Sequence, residues 1–392
     1  MTASAQVDLS EETLLAEARQ QTGLADFGDD GFREGLRVLL ETYERAGLSA
    51  DGRKRTRRRL LQLLGTRLRI EVGLRRQPEI RKRAITSPIY LTGLPRTGTS
   101  ALFNLLGQDP AARPLLTWEG MCPDPLDPRT LEKIGPDQPD PRLEAVRAGI
   151  ERDRKRNPDF DKIHMSRADG PEECVLLLAY TFCDVQMGIE PLLPPYQEWF
   201  QSQDLHAPYA YYADLLRMLD WQRPGERWLL KSPAHLWAID VLLEMFPDAC
   251  ILQTHRDPLE ILPSYCSMIG SLMELRETFD PKELGPAVLE FLARMLERGL
   301  EARDRSAPER FCDVDYRDFV SAPLETAERI YDAFGLELHA DARSAMERHL
   351  AENPRNKHGA HRYSLEEYGL SAEAVRTRLA QYIERFGLPG SS

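Results

Sequence analysis

The sequence predicts an α/β fold: a doubly wound parallel sheet in residues 88–392, with an N-terminal helical extension at 1–87 and a helical lid inserted at about 120–226. Three observations predict it. Residues 88–106 pass from a short apolar run through a glycine-bearing loop into an amphipathic helical pattern. Three later segments, 228–246, 249–273 and 311–334, repeat the passage from β-forming run to helix, and residues before 88 hold their leucines at helical spacing. Strands that alternate with helices pair in parallel, because each crossover returns the chain to the same end of the sheet.

In the extension, Ser10 stands three residues before Thr13 as a weak N-cap signal. Phe32, Leu36, Leu39, Leu40 and Tyr43 form one helical stripe, and Leu60, Leu61, Leu63, Leu64 and Leu68 another. Residues 53–83 hold thirteen Lys or Arg against two Glu, so this segment carries +11 and the remainder −23. Arginine stems can cover apolar surface while their heads stay wet. The segment therefore reads first as a helix flank docked on an acidic body, with an anionic-substrate or membrane-surface patch as the alternative.

Ile89 to Leu91 are the first strand, and Leu102, Phe103, Leu105 and Leu106 the apolar face of the following helix. Between them, Gly93-Leu-Pro-Arg-Thr-Gly98-Thr99-Ser100 has the spacing of a P-loop with Thr99 in the lysine position. The fold is P-loop-like on this ground. An NTPase uses that lysine at its β/γ-phosphates; here the cation is Arg96, inside the loop. One arginine, three hydroxyls and the unpaired N–H groups of a helix start suit a terminal group of lower charge, such as a sulfonate.

Pro114–Glu119 reads as a second strand, Pro123–Pro141 with its six prolines as a loop, and 142–156, 170–182 and 204–221 as lid helices. Trp228–Lys231 is a strand leading to Ser232 and Pro233, an N-cap and first helical residue, with a helix to Phe246. Ala249–Thr254 is a buried strand ending at His255-Arg256-Asp257-Pro258, followed by a helix through Met273. Phe311–Asp315 is the last strand, with a helix from Pro323 to Phe334. Ser364 and Glu367 have capping-box spacing. Arg96, Lys231 and Arg256 each fall at or just beyond a strand's carboxyl end, where open α/β sheets bind ligands.

At Pro95-Arg96-Thr97-Gly98-Thr99-Ser100 the chain resembles the sulfotransferases that use 3′-phosphoadenosine 5′-phosphosulfate (PAPS). Residues 22–30 resemble the opening of a bacterial subgroup with an N-terminal helical extension. The resemblance implies that this loop, Arg96 to Ser100, binds the phosphosulfate. It implies that Arg256 and Ser264, eight residues further on, bind the ribose 3′-phosphate, for which an arginine fork is well suited. It assigns Lys231 to the bridging oxygen, as an electrophile where charge builds up, and lets Ser232 hold that lysine back when it is not simply a cap. Lys357 and Arg362, in the late basic loop 353–364, become candidate nucleotide contacts, although the glycine-lysine pattern of cytosolic relatives is missing. The reaction implied is in-line transfer of a sulfuryl group to a hydroxyl or amine of a small-molecule or lipid acceptor, without a metal. The acceptor's proton needs a base. Glu119, twenty-three residues after Arg96, matches the spacing of a glutamate in some relatives; Glu172, Glu173 and His235 are the other candidates.

A net charge of −12 argues against a nucleic-acid partner. Six cysteines without metal spacing, and no basic-apolar leader or long apolar run, indicate a soluble cytoplasmic protein; a homo-oligomer is left open. Two other readings compete: an ATP-dependent small-molecule kinase, which lacks its loop lysine, and a non-catalytic nucleotide-binding protein using the basic segment.

Overall fold

The computed structural model describes residues 7–126, 138–156, 167–185, 192–273, 278, 280–353 and 364–389. Its centre is a five-stranded sheet of β1 (Ile89–Gly93), β2 (Ala112–Pro114), β3 (Arg227–Lys231), β4 (Cys250–His255) and β5 (Phe311–Asp315). The strands are all parallel and run in the order β2-β3-β1-β4-β5. Every residue of β1 is buried, as expected for a strand covered on both faces. Alternate residues divide between two apolar layers. Tyr90, Leu230 and Ile251 enter one, and Ile89, Leu91, Leu229 and Leu252 the other. Leu91 is in register with Lys231 and Gly93 with Thr254, so the loops after β1, β3 and β4 leave from one edge.

The extension forms α1 (Glu11–Thr22), α2 (Phe32–Arg45) and α3 (Ala50–Arg76), with Ser10 capping α1 through the Thr13 N–H and Ser49 capping α3. The two leucine stripes enter the same apolar layer as Tyr90 and Leu230. Six of the thirteen cations of 53–83 are spent on ion pairs with the surrounding body. Arg53, Arg57, Arg69, Arg75, Arg81 and Arg83 pair with Glu44, Glu17, Asp124, Asp26, Asp214 and Asp220. Arg67, buried, instead donates to the carbonyls of Phe27, Asp29 and Tyr180 and lies between the Phe32 and Tyr211 rings.

Several elements depart from expectation. After α4 (Thr99–Leu106) the second strand stops at Pro114, and Thr117–Met121 is a short helix, α5, because the Glu119 carboxylate accepts from the Leu116 N–H and turns the chain. Of 170–182 only Val175–Leu178 is α-helical (α7, after α6 at Pro141–Arg156); a 3₁₀ turn follows and Phe182 turns to φ 56°. After β3 a 3₁₀ segment, Pro233–Trp237, precedes the helix. The remaining lid helices are α8 (Tyr196–Gln201) and α9 (His206–Gln222). Helices α10 (Ile239–Met245) and α11 (Pro258–Met273) bracket β4, and α12 (Pro281–Asp304), unanticipated, packs beside them. The Pro123–Pro141 loop falls largely outside the described residues. Among those residues no helix is long and apolar enough to cross a membrane.

Candidate active site

The loop after β1 is held in a shape that few side chains allow. Gly93 has φ 140°, and a Cβ there would meet the Thr254 carbonyl at 2.6 Å; Gly98 has φ 87°, and its Cβ would meet the Tyr316 ring at 2.7 Å. Arg96 adopts φ 69° without being glycine, a conformation that costs on the order of 1 kcal/mol and recurs at ligand sites. The helix that follows, Thr99–Leu106, starts at Gly98 with no side-chain cap, so its first N–H groups stay available to an anion. Thr97 is turned inward: its hydroxyl donates to the Leu94 carbonyl at 2.7 Å and lies 2.6 Å from the Thr254 hydroxyl. Thr99 is also buried, whereas Ser100 faces Lys231, whose Nζ donates to its Oγ at 3.3 Å.

Lys231 is the last residue of β3 and is 2% exposed. Its ammonium donates to Glu173 Oε1 at 2.5 Å and sits 5.7 Å from the centre of the Phe103 ring. A lysine so deep needs a counter-charge, and Glu173 is it. The Cys174 N–H donates to the Lys231 carbonyl at 2.9 Å, tying the segment that carries Glu173 to the strand that carries Lys231. The second oxygen of Glu173, Oε2, is buried and has no partner among the described residues. A buried carboxylate oxygen left unbonded is costly, and marks where an incoming hydroxyl would be welcome.

The third element begins where β4 ends. Arg256 Nη1 donates to the Arg96 carbonyl at 3.1 Å, Arg96 Nε donates to Ser264 Oγ on α11 at 3.1 Å, and the Arg256 guanidinium lies 4.1 Å from the centre of the Tyr316 ring. Its Nε and Nη2 both donate to Glu260 Oε2, at 2.8 and 2.6 Å. Two arginines and a serine thus converge beside the glycine loop. Among the described residues no carboxylate pairs with Arg96.

The other candidates lie elsewhere. Glu119 is not at a strand end. It is 1% exposed and closed in an ion pair with Arg113 at 2.9 Å and Arg223 at 2.8 Å, while its Oε2 also takes the Leu116 N–H. Arg113 is in register with Trp228, three residues short of Lys231. Burial raises the Glu119 pKa, but the two guanidiniums outweigh it and hold the carboxyl below its ordinary range. Glu172 is buried and accepts from the Glu173 N–H. His235, fully buried, meets the Tyr209 hydroxyl at 3.1 Å through Nδ1, and burial pushes its pKa down to about 3. The Ser232 hydroxyl caps the 3₁₀ segment by accepting the Ala234 N–H, leaving Glu173 and Ser100 to hold Lys231. Lys357 and Arg362 lie outside the described residues. Glu260 and Tyr316 were missed by sequence reasoning; the i,i+4 spacing of Arg256 and Glu260 was the available signal for the first, and nothing signalled the second. Among the described residues no three His, Cys, Asp or Glu side chains gather as a metal site.

Comparison with known proteins identifies the family. The family model described as the sulfotransferase family matches residues 88–341. The omega-hydroxy-beta-dihydromenaquinone-9 sulfotransferases Stf3 of Mycobacterium bovis and Mycobacterium tuberculosis are each 24% identical over 309 residues, covering 76% of this chain and 75% of theirs. The crystal structure of sulfotransferase STF1 from Mycobacterium tuberculosis H37Rv superposes with a TM-score of 0.84 at 36% identity, covering 96% of this chain and 100% of that one. STF9 from Mycobacterium avium gives 0.85 at 29% identity, over 98% and 99%. A family match over most of the chain, joined to a 36%-identical structure spanning nearly all of it, makes the chain a member of the sulfotransferase family and an enzyme of sulfuryl transfer.

Proposed function

We propose that the donor is PAPS, that Glu173 is the base and Lys231 the electrophile, and that the acceptor is a hydroxyl on an apolar small molecule or lipid. One observation carries this reading: a buried lysine and a glutamate in contact, the glutamate with a free buried oxygen, beside Ser100 of the glycine loop. Sulfotransferases generally use PAPS, whose phosphosulfate supplies the sulfuryl group. The N–H groups at the start of the Thr99–Leu106 helix and Arg96 suit its 5′ end, and Arg256 with Ser264 suits the 3′-phosphate. Glu173 takes the proton of the acceptor hydroxyl as the oxygen–sulfur bond forms. Lys231 stabilises the charge that collects on the bridging oxygen as the old sulfur–oxygen bond breaks, and adenosine 3′,5′-bisphosphate leaves. Glu119 has no part in this scheme, since its oxygens are committed to two arginines and a backbone N–H.

The apolar acceptor is supported by the Phe103 ring beside Lys231 and by the omega-hydroxylated menaquinone in the name of Stf3. Six unbridged cysteines suit the proposed cytoplasmic location. A kinase reading is disfavoured by Thr99 in the lysine position of the loop.

The test is ligand-induced stabilisation. A ligand at a hundred times its Kd adds about 2.7 kcal/mol. Unfolding entropy of about 2.1 cal/mol/K per residue gives about 0.8 kcal/mol/K for 392 residues, so the bisphosphate should raise Tm by about 3 °C. ATP with Mg²⁺ should give less than about a third of that rise. Equal rises, or transfer of phosphate rather than sulfate to an ω-hydroxylated isoprenoid quinone, would return the kinase reading.

A further inference from the structure

The Arg256 guanidinium already holds an anion. Nε and Nη2, which lie on one edge of the fork and are the pair a phosphate would engage, both donate to Glu260 Oε2, one turn along α11. The two members are unequally free. Arg256 is pinned by the Arg96 carbonyl and by the Tyr316 ring, and its side chain is 25% exposed; the Glu260 side chain is 56% exposed, with water on its open side. When a second anion arrives at this edge, the acid is the group that can swing away.

On the reading that Arg256 receives the 3′-phosphate, we infer that Glu260 is a resident counter-ion which the 3′-phosphate displaces, and that it thereby sets nucleotide affinity and hastens release of the bisphosphate product. The same guanidinium edge cannot serve both anions. Each binding event breaks the Arg256–Glu260 pair, and each departure is helped by its return. Nucleotides without a 3′-phosphate leave the pair intact. Glu260 therefore narrows the margin by which the bisphosphate is preferred over AMP, in exchange for faster turnover of a product that shares most of its contacts with the donor. Tyr316 is part of the device, because it keeps the guanidinium in place while its partner changes. It also packs on Gly98, so the phosphosulfate loop and the 3′-phosphate arginine rest on one ring.

The test is a double-mutant cycle read by nucleotide binding on the full chain. Glu260→Gln should bind the bisphosphate about two- to fivefold more tightly, the factor for releasing an exposed ion pair, with most of the change in the dissociation rate. Affinity for AMP should change by less than about 1.5-fold. In an Arg256→Ala background the effect of Glu260→Gln on bisphosphate affinity should also fall below about 1.5-fold, because no guanidinium is left to contest. An undiminished effect in that background would mean that Glu260 acts only through its general field, and would overturn displacement, as would an unchanged bisphosphate affinity in Glu260→Gln alone. The assignment beneath is tested separately. If Arg256→Ala weakens the bisphosphate and AMP equally, the 3′-phosphate is not bound there and the inference fails with it.

Discussion

Exchanging Glu119 and Glu173 separately for glutamine tests the proposed division between a structural carboxylate and a catalytic one. Glu119 is 1% exposed, and Arg113, which donates to both its oxygens, is 3% exposed. Glu119→Gln leaves that guanidinium inside the protein facing a neutral amide. Removing one partner of a buried pair costs about 3–5 kcal/mol; the Arg223 head, 44% exposed, can turn to water and keeps the cost near the lower figure. At about 0.8 kcal/mol/K this lowers Tm by about 4 °C, while kcat of the folded enzyme, measured at saturating donor well below the new Tm, stays within about twofold. The stability gap has a defined pH window. Glu119 is depressed in the folded state, so its contribution is present above the ordinary glutamate value of about 4.3 and disappears as pH falls through the lower folded value. Glu173→Gln should lose about 10² to 10⁴ in kcat. It also strips Lys231 of its counter-ion, so Tm falls here as well, and kcat is the measurement that discriminates. A collapse of kcat in Glu119→Gln with near-normal turnover in Glu173→Gln would refute the assignment.

Three further perturbations follow from the geometry. His235 is held neutral by burial down to about pH 3, while its unfolded form protonates near 6.5, so the unfolded chain binds more protons between those values and stability falls as pH drops. Wild type should lose about 2 kcal/mol more than His235→Gln between pH 6.5 and 5, read from urea midpoints; parallel losses would contradict this. Gly98→Ala, with φ at 87° and a Cβ driven into the Tyr316 ring, should weaken the bisphosphate about tenfold or more in a binding titration, and wild-type affinity would show that the loop does not need this shape. Arg67→Met leaves three carbonyls without their donor and should cost about 3 kcal/mol or more in denaturant melts, with kcat reduced because the Tyr180 carbonyl belongs to the segment that carries Glu173. A neutral result would make Arg67 incidental.

How much of this could be read from the sequence depended on how far apart the deciding partners lie. The strands β1, β3, β4 and β5 were legible because each is a short apolar run followed at once by a helix signal; Arg96, Lys231 and Arg256 could be placed at strand ends because they close or soon follow those runs, whereas Ser264 was singled out by its spacing from Arg256 in the resembling family. Glu119 was misplaced at a strand end because the arginines that claim it, Arg113 and Arg223, are separated by more than a hundred residues and meet only through the pairing of β2 with β3. Glu173 could be proposed but not chosen over Glu172, since neighbouring glutamates differ here only in direction: one caps the next backbone N–H and the other reaches across to Lys231. Helix α12 was overlooked, and the helical spans at 170–182 and 233–246 were overdrawn, because 3₁₀ segments share the apolar spacing of α-helices without their length.

The strand order has a consequence for the chain as it is made. The glycine loop emerges near residue 98, yet β3, which brings Lys231, and β4, which brings Arg256, flank β1 from more than 130 residues further on. A nascent chain that has released the extension and β1 thus holds apolar stripes whose partners are not yet synthesised, and must keep them from premature association. The loop, the lysine and the arginine come to share one edge of the sheet only when both β3 and β4 are paired with β1. Under the proposed roles of these residues, enzyme activity is therefore also a report that β3 and β4 have both paired with β1.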